Sequence, residues 1–295
     1  MHPKKKITYA EVKFKQKSDL ESGTSRNMIY RKISTPFTYA LVNLGFSPSI
    51  ISILNFFPPL IGFFFLSYGG YWHMILGLMF FVLFKILDCS DGEVARITNP
   101  NAMNPLHKSI EGPYFDGVGH YIYPICLYSG LGIGIFRMYG NFYFIYLGVI
   151  LSILFVLEIA LIDLLKVGYR KAIIERRITK YVPDKVILYN LMNKINEGRS
   201  WEKSSFISKI VGVFPFSGLI YTTEFIIIVS ILLLLAEMWI GYLKINLTIF
   251  GTGISLIVLY LIAVMFVKIM SVSMFIFKLE KKRYITEVIK SMQDK

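Results

Sequence analysis

The feature that most constrains this chain is a series of long apolar segments that alternate with polar ones. Hydrophobic residues make up 55% of the 295 positions and charged residues only 17%, which argues against a water-soluble globule. A helix needs about 20 mostly apolar residues to cross a bilayer. We therefore predict an all-α polytopic membrane protein with six transmembrane helices. The predicted spans cover about 49–68, 72 to the acidic stretch that begins at residue 88, 112–136, 142–165, 218–240 and 245–277.

The placement of basic residues predicts which side of the membrane each loop faces. The formal net charge is +13, and most Lys and Arg residues fall in residues 4–32, 166–209 and 278–295. Six spans would place these blocks on one side, whereas the opposite loops carry only Arg137 and Lys244. Because cytoplasmic loops are enriched in Lys and Arg, we predict a multi-pass protein of the cell membrane with both termini in the cytoplasm. Nucleic-acid binding is not expected, because the positive charge flanks membrane spans.

Local signals complete the predicted organisation. Residues 19–36 mix apolar and basic side chains, which favours a helix lying on the membrane surface. Ser47-Pro48 is a typical helix start, and Pro58-Pro59 should kink the first span. Five segments are predicted: a basic tail with the interfacial helix (1–36), a four-span core with the acidic stretch (37–165), a basic cytoplasmic loop (166–215), two further spans (216–277) and a basic tail (278–295).

An acidic stretch lies where the second and third predicted spans meet the cytoplasm. Asp88 and Asp91 are three residues apart, so they share one face of a helix. Gly112, Asp116 and His120 are spaced by four and share a face of the next helix. Charges at the end of an apolar segment are costly and need a reason. Carboxylates and an imidazole suit Mg²⁺ or Mn²⁺, and a pair of such ions would polarise a phosphoryl group.

The stretch resembles the signature of the CDP-alcohol phosphatidyltransferase family, which reads Asp-x-x-Asp-Gly-x-x-Ala-Arg, a short loop, and Gly-x-x-x-Asp-x-x-x-Asp. Residues 45–52, Gly-Phe-Ser-Pro-Ser-Ile-Ile-Ser, are similar to the family's usual opening, and the resemblance covers roughly residues 30–165. It implies a six-helix membrane enzyme, usually a homodimer, of phospholipid or related lipid or glycan biosynthesis. Such an enzyme transfers a substituted phosphate from a CDP-linked donor to an alcohol and releases CMP. The donor is either CDP-diacylglycerol or a soluble CDP-alcohol.

The resemblance also implies roles for single residues. It makes Asp88, Asp91 and Asp116 metal ligands. It places Gly92, Ala95 and Gly112 along the cytidine and pyrophosphate site, with Arg96 beside them. His120 stands where the family has its fourth aspartate. His120 would therefore ligate metal and deprotonate the acceptor hydroxyl, with Asp116 as the other catalytic residue.

This histidine departs from the family pattern and leaves three interpretations open. Imidazole is a better base near neutral pH than an ordinary aspartate, but it is neutral when it binds a metal and favours manganese or zinc over magnesium. The three interpretations are an enzyme with His120 as base, an enzyme with one weakened metal site, and a CDP-binding protein without catalysis. An alternative of another class is a cation-coupled transporter, whose acids should lie near mid-membrane. Lys85 could contact a phosphate or pair with Glu158.

Overall fold

The computed structural model describes residues 7–15, 25–98, 111–175, 223–242, 248–249, 252–253 and 255–282. Apart from short turns between elements, these residues are helical except for one short strand pair. The helices are α1 (Tyr9–Lys15), α2 (Ser25–Asn43), α3 (Pro48–Leu54), α4 (Phe57–Tyr68), α5 (Tyr71–Thr98), α6 (Glu111–Tyr139), α7 (Tyr143–Glu175), α8 (Thr223–Tyr242) and α9 (Leu256–Lys282). Two-residue strands β1 (Thr248–Ile249) and β2 (Thr252–Gly253) pair antiparallel, with Thr248 opposite Gly253. The predicted all-α class is confirmed for the described part of the chain, apart from this pair.

Four helical segments of the described residues are long and apolar enough to cross a membrane. They are Pro48–Tyr68, Tyr71–Thr98, Tyr143–Leu164 and Leu256–Ser273, and they correspond to the first, second, fourth and sixth predicted spans. The fifth prediction matches a shorter apolar helix, Phe225–Ile240. The third prediction falls on α6, a continuous helix of 29 residues. Charged, Tyr and Gly residues interrupt its apolar sequence. Membrane character is supported, whereas the count of six spans stays a prediction.

The predicted kink in the first span is a break between α3 and α4. The Ser47 hydroxyl accepts from the Ile50 N–H at 3.4 Å and caps α3. The helix then stops at Leu54, just before Pro58 and Pro59. A proline lacks the N–H that would bond four residues back, and its ring clashes with that carbonyl. Both α3 and α4 contact α5 and α6.

Glycines allow α4, α5 and α6 to pack with their backbones close together. A Cβ atom built on Gly77 of α5 would lie 2.9 Å from the Gly62 carbonyl oxygen of α4. One built on Gly134 of α6 would overlap the Leu66 carbonyl oxygen of α4. Any larger residue at Gly134 would therefore push α6 away from α4. This packing fixes the two helices that carry the acidic stretch against a common neighbour.

Part of the predicted N-terminal tail is helical. Residues 9–15 form α1, and the helix predicted at residues 19–36 overlaps α2, which begins at Ser25 and ends at Asn43. A capping box that the prediction missed starts α1: the Glu11 carboxylate accepts from the Thr8 N–H at 2.8 Å, and the Thr8 hydroxyl accepts from the Glu11 N–H at 3.3 Å. The Asn43 side chain then exchanges two hydrogen bonds with the Ile7 backbone, which holds α1 against α2.

The described residues fall in two compact units. One lies within Met1–Ile153 and Ile226–Leu261, and the other within Leu154–Phe225 and Ile262–Lys295. All residues predicted to form the site belong to the first unit. Residues 97–111, which join the second and third predicted spans, lie mostly outside the described residues, as do the predicted basic loop at 166–215 and the tail at 278–295. The predicted segment boundaries therefore stay a prediction.

Candidate functional site

The end of α5 and the start of α6 bring three of the predicted residues together. Asp88, Asp116 and His120 each place one ligand atom within 4.8 Å of the other two. His120 Nε2 lies 3.3 Å from Asp116 Oδ1 and 3.7 Å from Asp88 Oδ1. The Asp116 side chain is 45% exposed and that of Asp88 only 18%, so the group is open on the Asp116 side. We call these three residues the acid–histidine cluster.

Asp91 lies outside the acid–histidine cluster. Its Oδ2 accepts a hydrogen bond from the Ser52 hydroxyl of α3 at 3.0 Å, and the same hydroxyl lies 3.2 Å from the Pro48 carbonyl oxygen. The sequence predicts four converging ligands, and the structure groups three of them. Ser52 lies in the segment 45–52 that was noted for its resemblance to the family, so this segment contacts the acidic stretch directly.

Lys85 pairs with Asp88. Its Nζ lies 3.8 Å from Asp88 Oδ2 and also lies 5.4 Å and 5.1 Å from the ring centroids of Phe84 and Tyr123. The cation that pairs with Glu158 is Lys268 of α9, which is buried and lies 4.0 Å from the Phe155 ring centroid. Sequence reasoning had Lys85 near Asp88 through the spacing of three, but it could not find Lys268, which is 110 residues from its partner.

Glu93 is a residue that sequence reasoning missed. It sits at a variable position of the signature and is 1% exposed. Its carboxylate accepts from the Thr38 hydroxyl at 2.6 Å and from the Ser34 hydroxyl at 3.2 Å, so it ties α2 to the helix that carries Asp88 and Asp91. Ser34 and Thr38 are four residues apart, so their hydroxyls share one face of α2. This spacing is the sequence signal that could have indicated a common acceptor.

The residues expected beside the cytidine and pyrophosphate lie on the same two helices. A Cβ atom built on Gly92 would be 3.5 Å from Arg96 Nη1, which places the Arg96 guanidinium beside Gly92 on α5. Ala95 is half-buried on α5. Gly112 lies in the first turn of α6 and is described by its backbone alone. Because Gly92 has no side chain, the space beside the Arg96 guanidinium stays open.

The donor set of the acid–histidine cluster fits a divalent cation. Two carboxylates and one imidazole combine the oxygen ligands that magnesium prefers with a nitrogen that manganese also accepts. The three ligand atoms lie close enough together to contact one ion. The open side near Asp116 leaves space for a further ligand such as a phosphate.

Comparison with known proteins agrees with the resemblance over part of the chain. Residues 46–103 match the model of the CDP-alcohol phosphatidyltransferase family. No curated protein is significantly similar to the chain. The matched residues include Asp88, Asp91 and the Gly92–Arg96 stretch, and they end before Asp116 and His120. The segment from α3 to the end of α5 is therefore similar to the CDP-alcohol phosphatidyltransferases, and the predicted resemblance is confirmed over residues 46–103.

Proposed function

We propose that the protein is an integral-membrane transferase that moves a phosphatidyl or substituted phosphoalcohol group from a CDP-linked donor to an alcohol and releases CMP. One observation carries the proposal: Asp88, Asp116 and His120 converge beside a segment that matches this family. The family match supports the transferase kind, and the convergent residues support the reaction. We further propose, from the basic loops and the resemblance, that the site faces the cytoplasm and that the protein is a homodimer.

Asp88, Asp116 and His120 are the residues that would hold a divalent cation, with Asp91 as a further ligand implied by the resemblance. Bound there, the cation would polarise the donor's phosphoryl group and stabilise the negative charge of the departing CMP. Arg96 and the space at Gly92 would receive the nucleotide, because guanidinium groups bind phosphates through paired hydrogen bonds. Asp116 orients the imidazole, since its Oδ1 lies 3.3 Å from His120 Nε2.

His120 is the base in this proposal. A neutral imidazole has one nitrogen lone pair, so in the step in which His120 is the base its Nε2–H donates to Asp116 Oδ1, its Nδ1 accepts the proton of the acceptor hydroxyl, and Asp88 and Asp116 would hold the cation. The hydroxyl oxygen then forms a bond to the donor phosphorus that bears the alcohol or lipid, and the bond from that phosphorus to the CMP oxygen breaks. The proton resides on His120, and CMP leaves with the electron pair.

The test is CMP release by the purified full-length protein in nanodiscs, with Mn²⁺ or Mg²⁺ and a panel of CDP-diacylglycerol, soluble CDP-alcohols and acceptor alcohols. We expect CMP to form in proportion to the transferred product for at least one pair. Asp88→Asn should lower the rate by about 100-fold or more, because the lost carboxylate is a ligand. Glu11→Gln, which removes one carboxylate from α1 outside the site, is the matched control and should keep the rate.

Folded protein that binds CDP but releases no CMP, in the wild type and in His120→Asp alike, would contradict the transferase and favour a CDP-binding protein. Cation-dependent uptake of a solute into sealed vesicles, without CMP release, would favour the transporter.

A further inference from the structure

Lys85 is a cationic side chain next to the acid–histidine cluster. It lies one turn before Asp88 on α5, its side chain is 13% exposed, and its Nζ is 3.8 Å from Asp88 Oδ2. The rings of Phe84 and Tyr123 lie beside the ammonium. Its helix is one of the apolar segments long enough to cross a membrane, where an ammonium group is rare unless it is paired or functional.

The formal charges around this site sum to a small negative value. Asp88, Asp91 and Asp116 contribute three negative charges, Lys85 one positive charge, and neutral His120 none. Glu93 and Arg96, further along α5, cancel each other. With the carboxylates ionised and His120 neutral, which is the state that binds a metal, the formal charge of these described residues is −2. Without nucleotide, a single divalent cation neutralises this charge, whereas two would leave an excess of two positive charges at an apolar helix, where uncompensated charge is costly.

The ligand geometry agrees with this charge balance. The cluster offers three ligand atoms within 4.8 Å of one another, and Asp91 is bonded to Ser52 instead of joining them. We propose that without nucleotide this site binds one divalent cation, and that the Lys85 ammonium binds the diphosphate of the CDP-linked ligand. A lysine ammonium is a compact charge that suits phosphate oxygens. The cation count is independent of the proposed function, whereas the role of Lys85 towards the CDP moiety rests on it.

The first test counts Mn²⁺ ions. Full-length protein in nanodiscs of neutral lipid is titrated with Mn²⁺, and free Mn²⁺ is followed by its EPR signal without nucleotide. We expect one tightly bound Mn²⁺ per chain. The Lys85→Met/His120→Asp variant, with a formal site charge of −4, should bind two. Two ions or none in the wild type would overturn the inference, and that count needs no variant to fold.

The second test measures CDP affinity by calorimetry at saturating Mn²⁺. Lys85→Met should weaken CDP binding by about 10- to 100-fold, Lys85→Arg should restore most of it, and Lys13→Met on α1 should change nothing. Equal CDP affinity in Lys85→Met and the wild type would overturn the role of Lys85. One Mn²⁺ and Lys85-dependent CDP binding without CMP release would sustain this inference and contradict the proposed transferase. CMP release with two Mn²⁺ per chain would support the transferase and overturn this inference.

Discussion

Two carboxyl-containing sites in the first compact unit differ in how completely their oxygens are satisfied. Near the end of α8, Glu237 is 8% exposed and accepts three hydrogen bonds: from the Ser255 hydroxyl at 2.6 Å, the Ile257 N–H at 2.9 Å and the Tyr139 hydroxyl at 3.2 Å. In the acid–histidine cluster the partners of Asp88 are ionisable groups at 3.7 and 3.8 Å. Asp116 and Tyr139 lie on the same helix, roughly 35 Å apart at 1.5 Å per residue.

The difference separates a carboxyl group whose oxygens are satisfied by protein donors from carboxyl groups that keep acceptor capacity. Glu237 joins the end of α6, α8 and the first turn of α9, and the three donors satisfy its two oxygens. A buried acceptor satisfied in this way stabilises the packing of its neighbours. Asp88 and Asp116 instead repel each other and keep unfilled acceptor capacity, which a cation would use. Removing a carboxylate should therefore affect chemistry at one site and stability at the other.

The largest effect is expected from Asp116→Asn. CMP release should fall by about 1,000-fold, since losing a ligand costs more than the 10- to 100-fold of an outer-shell partner. The melting temperature should stay level or rise without added metal, because one of two repelling carboxylates is removed. The measurements are CMP release and thermal unfolding in detergent. A melting temperature several degrees lower with full activity would mean that Asp116 is a structural residue.

The reverse pattern is expected from Glu237→Ala. The free energy of unfolding should fall by about 2–3 kcal/mol, because the buried Ser255 and Ile257 donors and the partly exposed Tyr139 hydroxyl lose their acceptor. CMP release per folded molecule should remain within twofold of the wild type. Tyr139→Phe removes one of the three bonds and should cost about 1 kcal/mol, which makes it the graded control. A large loss of activity in folded Glu237→Ala would show that the two sites are coupled.

The smallest effect is expected at Glu93, which lies in the signature but is satisfied as Glu237 is. Thr38→Val removes the 2.6 Å bond to the Glu93 carboxylate and should cost about 1.5 kcal/mol. Because α2 is then held less firmly, protease cleavage within 25–43 should become faster, and CMP release should fall less than tenfold. Ser34→Ala, which removes a longer bond, should show a weaker form of both changes. Unchanged proteolysis in Thr38→Val would indicate that Glu93 does not anchor α2.

Short-range patterns predicted much of this protein. The apolar runs located four spans, Pro58 and Pro59 located the break after α3, and Ser47 capped the helix that it was expected to begin. The four-residue spacing of Asp116 and His120 was enough to put both on one face of α6. Each of these features depends on neighbours within about four residues, and a helix brings such neighbours together wherever it lies.

Contacts between distant residues were decided only by the tertiary structure. Asp91 bonds Ser52 across 39 residues, Glu93 bonds Ser34 across 59, and Lys268 pairs with Glu158 across 110. Several side chains of each type could have filled these roles, and helix packing selects among them. The sequence by itself determined which residues carry charge and which face of a helix they share. The tertiary structure decided which carboxyl groups are satisfied by protein donors and which keep acceptor capacity, because that depends on the neighbouring helix.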